Sequence, residues 1–246
     1  MRRPLFVSIA FVVTIGAAAL PSASAADAQA LSALEARVRQ EPEDLFLAAR
    51  YRQEVIGAAA YDRAITLFEH LSKRSGAGAH AFINLALAYL DKVPASGSVR
   101  QAFLGRDAIH ALTQSIALQP SELAYYVRGL VNLYYDNAIF HRTDKGVADL
   151  EEARRIASVR GLQGYLPRIL QTLGDGYFRL ARPDKAREAW RSALALAPDS
   201  EPLQRRLAAT DAQLREIIAR VLDADVRVDT SLRELNPADV ASGPTR

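Results

Sequence analysis

Leu170-Gln171-Thr172-Leu173-Gly174-Asp175-Gly176-Tyr177, followed by Ala186, Trp190 and Pro198, is the stretch whose spacing decides the fold. Gly174 and Ala186 lack bulk, which suits two antiparallel helices that cross closely. Tyr177 and Trp190 supply the volume beside that crossing. Pro198 stops the second helix, since it has no N–H to donate and disfavours helix at the residue before it. The stretch therefore predicts a helix pair with one buried seam, whose outer faces need neighbours of the same kind.

Those neighbours recur at a period of roughly 34 residues. Phe82, Leu85, Ala86 and Tyr89 repeat the first-helix pattern, and Ala108, Leu112 and Pro120 repeat the second. Tyr125, Arg128 and Gly129 open a third unit, which Gly146, Leu150 and Ala153 close. Upstream, Tyr61, Ala64 and Phe68 mark a second helix whose partner runs over about residues 45–56. In that first unit Arg52 takes the small-residue position; in the third, Arg128 and Asn132 replace an expected Leu and Tyr. The expected fold is all-α, an α-solenoid of antiparallel helix pairs with capping helices. Its divisions are an N-terminal cap at 26–44, repeats at 45–78, 79–121, 122–166 and 167–200, a C-terminal capping helix at 201–223 and a disordered tail at 224–246.

In spacing the chain resembles the tetratricopeptide repeat family, with Leu170 where the family has Trp and Trp190 where it has Phe. The resemblance covers roughly residues 45–200. It makes Ala86, Tyr89, Ala108, Gly129, Gly174, Tyr177, Ala186, Trp190 and Pro198 structural motif residues. It also implies a concave groove lined by the first helices, where a protein or peptide partner binds and no chemistry is done. On that geometry the groove face carries Tyr126 and Tyr134 in the third repeat. It carries Arg168, Gln171, Asp175, Phe178 and Arg179 in the fourth, and His80, Ile83, Leu87, Leu90 and Asp91 in the second. Four of the nine tyrosines, at 125, 126, 134 and 135, fall within one helix and its end. Tyrosine offers large contact area with a polar tip, a common composition for recognition surfaces.

The N-terminus addresses the compartment. Arg2 and Arg3 precede an apolar run over residues 5–20, and Ala23-Ser24-Ala25 forms a small-x-small cleavage site of the secretory type. The run is short for a membrane span of about 20 residues. An exported, periplasmic-type location after cleavage near Ala25 is expected, with membrane association only if the segment stays attached as an anchor. Loss of Arg2 and Arg3 turns 31 basic against 28 acidic residues into 29 against 28. With no block of basic residues, a nucleic-acid partner is not expected. The absence of cysteine excludes disulfides, thiolate metal sites and a thiol nucleophile.

Residues 28–40 form an apolar stripe suited to the N-terminal cap, and Asp199 and Ser200 offer cap oxygens for a last amphipathic helix. Insertions lengthen the connections between the small-residue pairs Ala86/Ala108 and Gly129/Gly146, one holding Pro94, Gly97 and Ser98, the other Asn137, Phe140, His141 and Arg142. Both are expected as loops on one side of the stack. His70, His80, His110 and His141 stand apart without metal-ligand spacing, and neither a nucleophile elbow nor a phosphate loop is present. The chain is therefore expected not to be an enzyme and to need no metal or cofactor. Three readings remain: an exported adaptor, a solute-binding accessory subunit of an envelope transport system, or a structural homo-oligomer that stacks through its terminal helices.

Overall fold

The computed structural model describes residues 25–135, 140–162 and 164–235, and among them lie eleven α-helices, one 3₁₀ turn and no strand. Helix α1 (Ala25–Gln40) caps the stack. Four pairs follow: α2 (Leu45–Gly57) with α3 (Tyr61–Ser72), α4 (Ala79–Lys92) with α5 (Ser98–Leu118), α6 (Glu122–Tyr134) with α7 (Thr143–Arg160), and α8 (Leu166–Arg179) with α9 (Pro183–Leu196). The described chain ends with α10 (Glu201–Ala208), α11 (Asp211–Val221) and an irregular segment to residue 235. The architecture is an α-solenoid of helix pairs.

Local signals fix several helix starts. The Asp44 carboxylate accepts from the N–H groups of Phe46 and Leu47 at 2.9 Å each, and the Ser121 hydroxyl accepts from Ala124 at 3.2 Å. Each such cap is worth about 1 kcal/mol. Thr210 and Gln213 make a reciprocal capping box at the start of α11.

The small-residue pairs mark the closest crossings. A Cβ at Gly174 would collide with the Trp190 indole nitrogen, and Trp190 itself is fully buried. A Cβ at Gly129 or Gly146 would lie 2.9 Å from the carbonyl oxygen of the other, so α6 and α7 touch backbone to backbone there. Ala86, Ala108 and Ala186 are fully buried. Tyr89 buries its ring in part and Tyr177 lies in the core, and they donate their hydroxyls to Glu69 (2.8 Å) and Glu151. Helix α9 stops two residues before Pro198.

The first and fourth pairs share one turn. Ala59 and Ala181 adopt left-handed backbone (φ 50° and 55°), and the next residue's N–H reaches back to Val55 O and Tyr177 O. The inserted pairs depart from this.

Three expectations need correction. The second-repeat insertion is mostly helix: a 3₁₀ turn (Val93–Ala95) leads into a 21-residue α5, because only Pro94 and Gly97 interrupt helix-compatible residues. The C-terminal cap is two helices, broken where Thr210 caps the second, and Ser200 makes no capping hydrogen bond. Residues 224–235 pack against the stack, burying Thr230, Leu232 and Leu235. Residues 236–246, the N-terminal 1–24 and 136–139, which include Asn137, lie outside the described residues.

Candidate functional site

The first helices of the pairs, α2, α4, α6 and α8, form one row, and the segment 224–235 lies along it. At α2 and α4 the contact is electrostatic. Arg52, fully buried, faces Asp91 across 3.2 Å, donates to Asn84 Oδ1 at 3.1 Å, and donates to the Thr230 carbonyl at 2.8 Å. The Thr230 hydroxyl donates to the Asp91 carboxylate. Arg227 donates to the Asp91 carbonyl at 3.0 Å and to the Tyr61 hydroxyl at 2.9 Å. Burial pushes the Asp91 carboxyl up, against the pull of Arg52 and Thr230, and pushes the Arg52 guanidinium down, against Asp91. Desolvation thus dominates this pair, which gains from every further hydrogen bond the tail provides.

At α8 the partner is again the tail. Arg168 lies 3.2 Å from Glu234 and 4.0 Å from Asp229. At the start of the segment Val226 and Val228 lie beside Leu90, Val93, Leu130 and Val131, lining an open-sided cavity of about 190 Å³. Leu232, buried, takes left-handed backbone (φ 60°). That conformation costs a residue with a Cβ about 1 to 2 kcal/mol.

The site residues expected from the sequence divide sharply. Arg168 faces the groove. Tyr134 is half-buried, and its hydroxyl donates to the Val221 carbonyl at the end of α11 (3.2 Å). Tyr126 is a correction: it is only 5% exposed, its ring edge-on to Tyr165 at 5.2 Å, and burial raises its hydroxyl pKa. Asp175 is another. Its carboxylate takes two 2.7 Å bonds from Arg206 of α10 and one from Trp190 Nε1 at 3.1 Å, so it joins the cap to the fourth pair. Burial raises the Asp175 carboxyl, opposed by Arg206.

The remaining α8 residues follow from helical geometry. Asp175 lies on nearly the same face as Arg168 and Arg179, while Gln171 and Phe178 lie further round, toward α9. The Gln171 carbonyl accepts from Trp190 at 3.2 Å, and the Phe178 ring tilts against Trp190 at 6.3 Å. Arg179 donates to the carbonyls of Leu133 and Tyr135, closing the end of α6. In the second repeat Ile83, Leu87 and Asp91 are buried, and His80 binds Glu43 through its backbone N–H and its ring Nδ1. Of the other clustered tyrosines, Tyr135 donates to Ala102 O at 2.8 Å and Tyr125 lies beneath Arg128.

Sequence reasoning missed Arg52 and the tail. Arg52 was visible as a charge in a small-residue position. Its partner at Thr230 is 178 residues away, beyond any local period.

A second cavity of about 640 Å³ opens between Phe178, Arg179, Pro183, Arg215, Ile218 and Leu222. Among the described residues no cluster of three or more His, Asp or Glu could hold a metal ion, and no helix is long and apolar enough to cross a membrane.

A row of stacked helix pairs with a groove along its first helices defines a helical-repeat protein of the surface-presenting kind. The tetratricopeptide repeat family model matches residues 167–210, the pair read first in the sequence together with α10. A crystal structure of a thermophilic tetratricopeptide-repeat protein from Thermus thermophilus is similar in fold, with a TM-score of 0.55 and 21% identity, over 74% of this chain and 89% of that one. By the motif over residues 167–210 and by the fold, the chain is similar to tetratricopeptide-repeat proteins. No curated protein matches it in sequence.

Proposed function

We propose that this protein is an exported, non-catalytic adaptor that holds an extended protein segment along the row formed by α2, α4, α6 and α8. The observation that carries this reading is the tail: an irregular segment already lies there, bound through its main chain at Thr230 and through side chains at Arg227, Thr230 and Glu234. Extended segments bound this way draw affinity from main-chain hydrogen bonds and specificity from side-chain contacts. Fold kinship supports protein interaction in general, since the helical-repeat architecture builds long surfaces.

The test is site-specific photo-crosslinking in the source cells. A crosslinker at position 168 should give adducts with a protein partner, and one at Val159, 77% exposed on a second helix, should not. Equal adducts from both positions would overturn the groove reading. Export has its own check: protein isolated from those cells should lack residues 1–25, and an intact Met1 would contradict it.

The cavity beside Phe178 and Arg215 favours the solute-binding accessory reading as an alternative, because its size falls within the range of small-molecule sites. Under that reading crosslinks at 168 fail, and small solutes protect Arg215 from chemical modification.

A further inference from the structure

The tail fits the groove well around Thr230 and poorly at its start, beside Val226 and Val228. At Arg52 and Asp91 it supplies a carbonyl to the buried guanidinium, a hydroxyl to the buried carboxylate and a guanidinium to the Asp91 main-chain carbonyl. Each of those contacts has hydrogen-bond geometry, and together they set a register: an arginine at 227, a hydroxyl at 230 and a buried leucine at 232. Between α4 and α6 the fit fails. Val226 remains 45% exposed, and it and Val228 leave a cavity of about 190 Å³ over Leu90, Val93, Leu130 and Val131. Walls of such a space lose the dispersion contacts a filled groove would give them. The left-handed backbone at Leu232 is a further sign of a segment that bends to fit.

We propose that residues 224–235 stand in, in cis, for an extended peptide partner, and that the displacing partner keeps this arginine, hydroxyl and leucine register but carries bulkier apolar side chains at the positions of Val226 and Val228. The proposal rests on the groove-adaptor reading above and adds to it the chemistry of the occupant and its regulation. The tail follows α11 with two residues between them. A short tether gives it an effective concentration on the order of millimolar. A free peptide of identical sequence at micromolar concentration is therefore outcompeted about a thousand-fold. The polar register lets a partner be recognised, and the apolar gap lets a better-filled one win.

The experiment uses the full chain and two fluorescent peptides, followed by polarisation. One peptide has the native sequence 224–235; the other carries Val226→Leu and Val228→Leu. The chain is tested as wild type and with Arg227→Glu and Thr230→Asp, which set carboxylates against Asp91. Arg227→Glu alone, at an exposed position, serves should the double variant not fold. Hydrogen exchange reports the tail amides in parallel.

The native peptide should bind the variant at least about ten-fold tighter than the wild type. The two added methylenes should tighten binding about fifteen-fold again, at roughly four-fold each. Equal affinity for both chains would overturn the proposal. So would lost protection in α2 and α4 together with the tail, which would make the tail a structural closure. A leucine peptide no tighter than the native one would overturn the part that rests on the cavity. If the tail is released and neither peptide binds while crosslinks at 168 still form, the inference fails and the adaptor reading stands.

Discussion

The fourth pair, α8 with α9, and the first, α2 with α3 against α4, each bury an Arg–Asp pair but differ in what fills the crossing and in how far away the polar partner lies. In the fourth, Gly174 admits Trp190 at an apolar crossing where Ala186, Leu173 and Trp190 are at most 2% exposed, and the buried Asp175 beside it is met by Trp190 and by Arg206 of the adjoining α10. In the first, the corresponding small position holds Arg52, and closure depends on Asp91, Asn84 and a tail carbonyl far along the chain. A pair that carries the full motif closes on near partners, Trp190 within it and Arg206 on the next helix. A pair that departs from it borrows polar partners, and the borrowed partner here is the segment that fills the groove. The third pair shows the same habit on a smaller scale, where Arg128 makes 2.7 and 2.9 Å bonds to Asp149 across the seam.

Two substitutions should do the most damage, by different routes. Trp190→Ala should cost about 3 to 5 kcal/mol in chemical denaturation through the cavity it leaves, with tail exchange unchanged. Arg52→Ala should cost a similar amount, about 3 to 5 kcal/mol, by leaving Asp91 buried without its cation, and should release the tail as well. Arg52→Met combined with Asp91→Leu should recover most of that stability, since an apolar pair removes the desolvation penalty. If Trp190→Ala frees the tail as readily as Arg52→Ala, the two ends are not distinct.

A glycine comparison sharpens the contrast. Gly174→Leu should overpack against Trp190 and cost about 1 to 3 kcal/mol. Gly57→Leu, where an added Cβ meets nothing within 4 Å, should be close to neutral in the same melt.

The smaller effects lie at the tail and the N-terminal cap. Thr230→Val should cost about 1 to 3 kcal/mol, because the buried Asp91 carboxylate loses a donor. Glu35 gives a pH signature. Burial alone would raise its carboxyl, but Arg63 and Arg39 together hold it below its ordinary 4.5. Its contribution is therefore present above about pH 4.5 and is lost as pH falls through the lower folded value. Glu35→Gln should flatten that part of the acid limb by no more than about 1 kcal/mol; an unchanged acid limb would remove Glu35 from the account.

These contrasts also explain what the sequence could tell. Gly174, Ala186, Trp190 and Pro198 were legible because a close crossing of neighbouring helices imposes a local spacing. Ala86 with Ala108 and Gly129 with Gly146 stayed legible through insertions, since sterics at the crossing tolerate only small residues whatever connects them. The face of α8 was legible only in part: Arg168 and Asp175 differ by a fraction of a helical turn, and α10, a helix outside the repeat pattern, captured Asp175 through Arg206. Tyr126 read as a contact residue because Tyr165, its ring partner, follows a connection without periodicity. The tail read as disordered because its composition is polar, while its anchoring residues answer charges on α2 and α4 more than a hundred residues earlier.

Native-state hydrogen exchange on the full chain, comparing wild type with the Arg52→Met, Asp91→Leu variant, bears most directly on the central claim. The tail amides around the buried Thr230 and Leu232 should lose protection, while α8 and α9 keep theirs. Tail amides that exchange at the same rate in both proteins, or α8 and α9 opening together with the tail, would contradict a tail docked through Arg52 and Asp91.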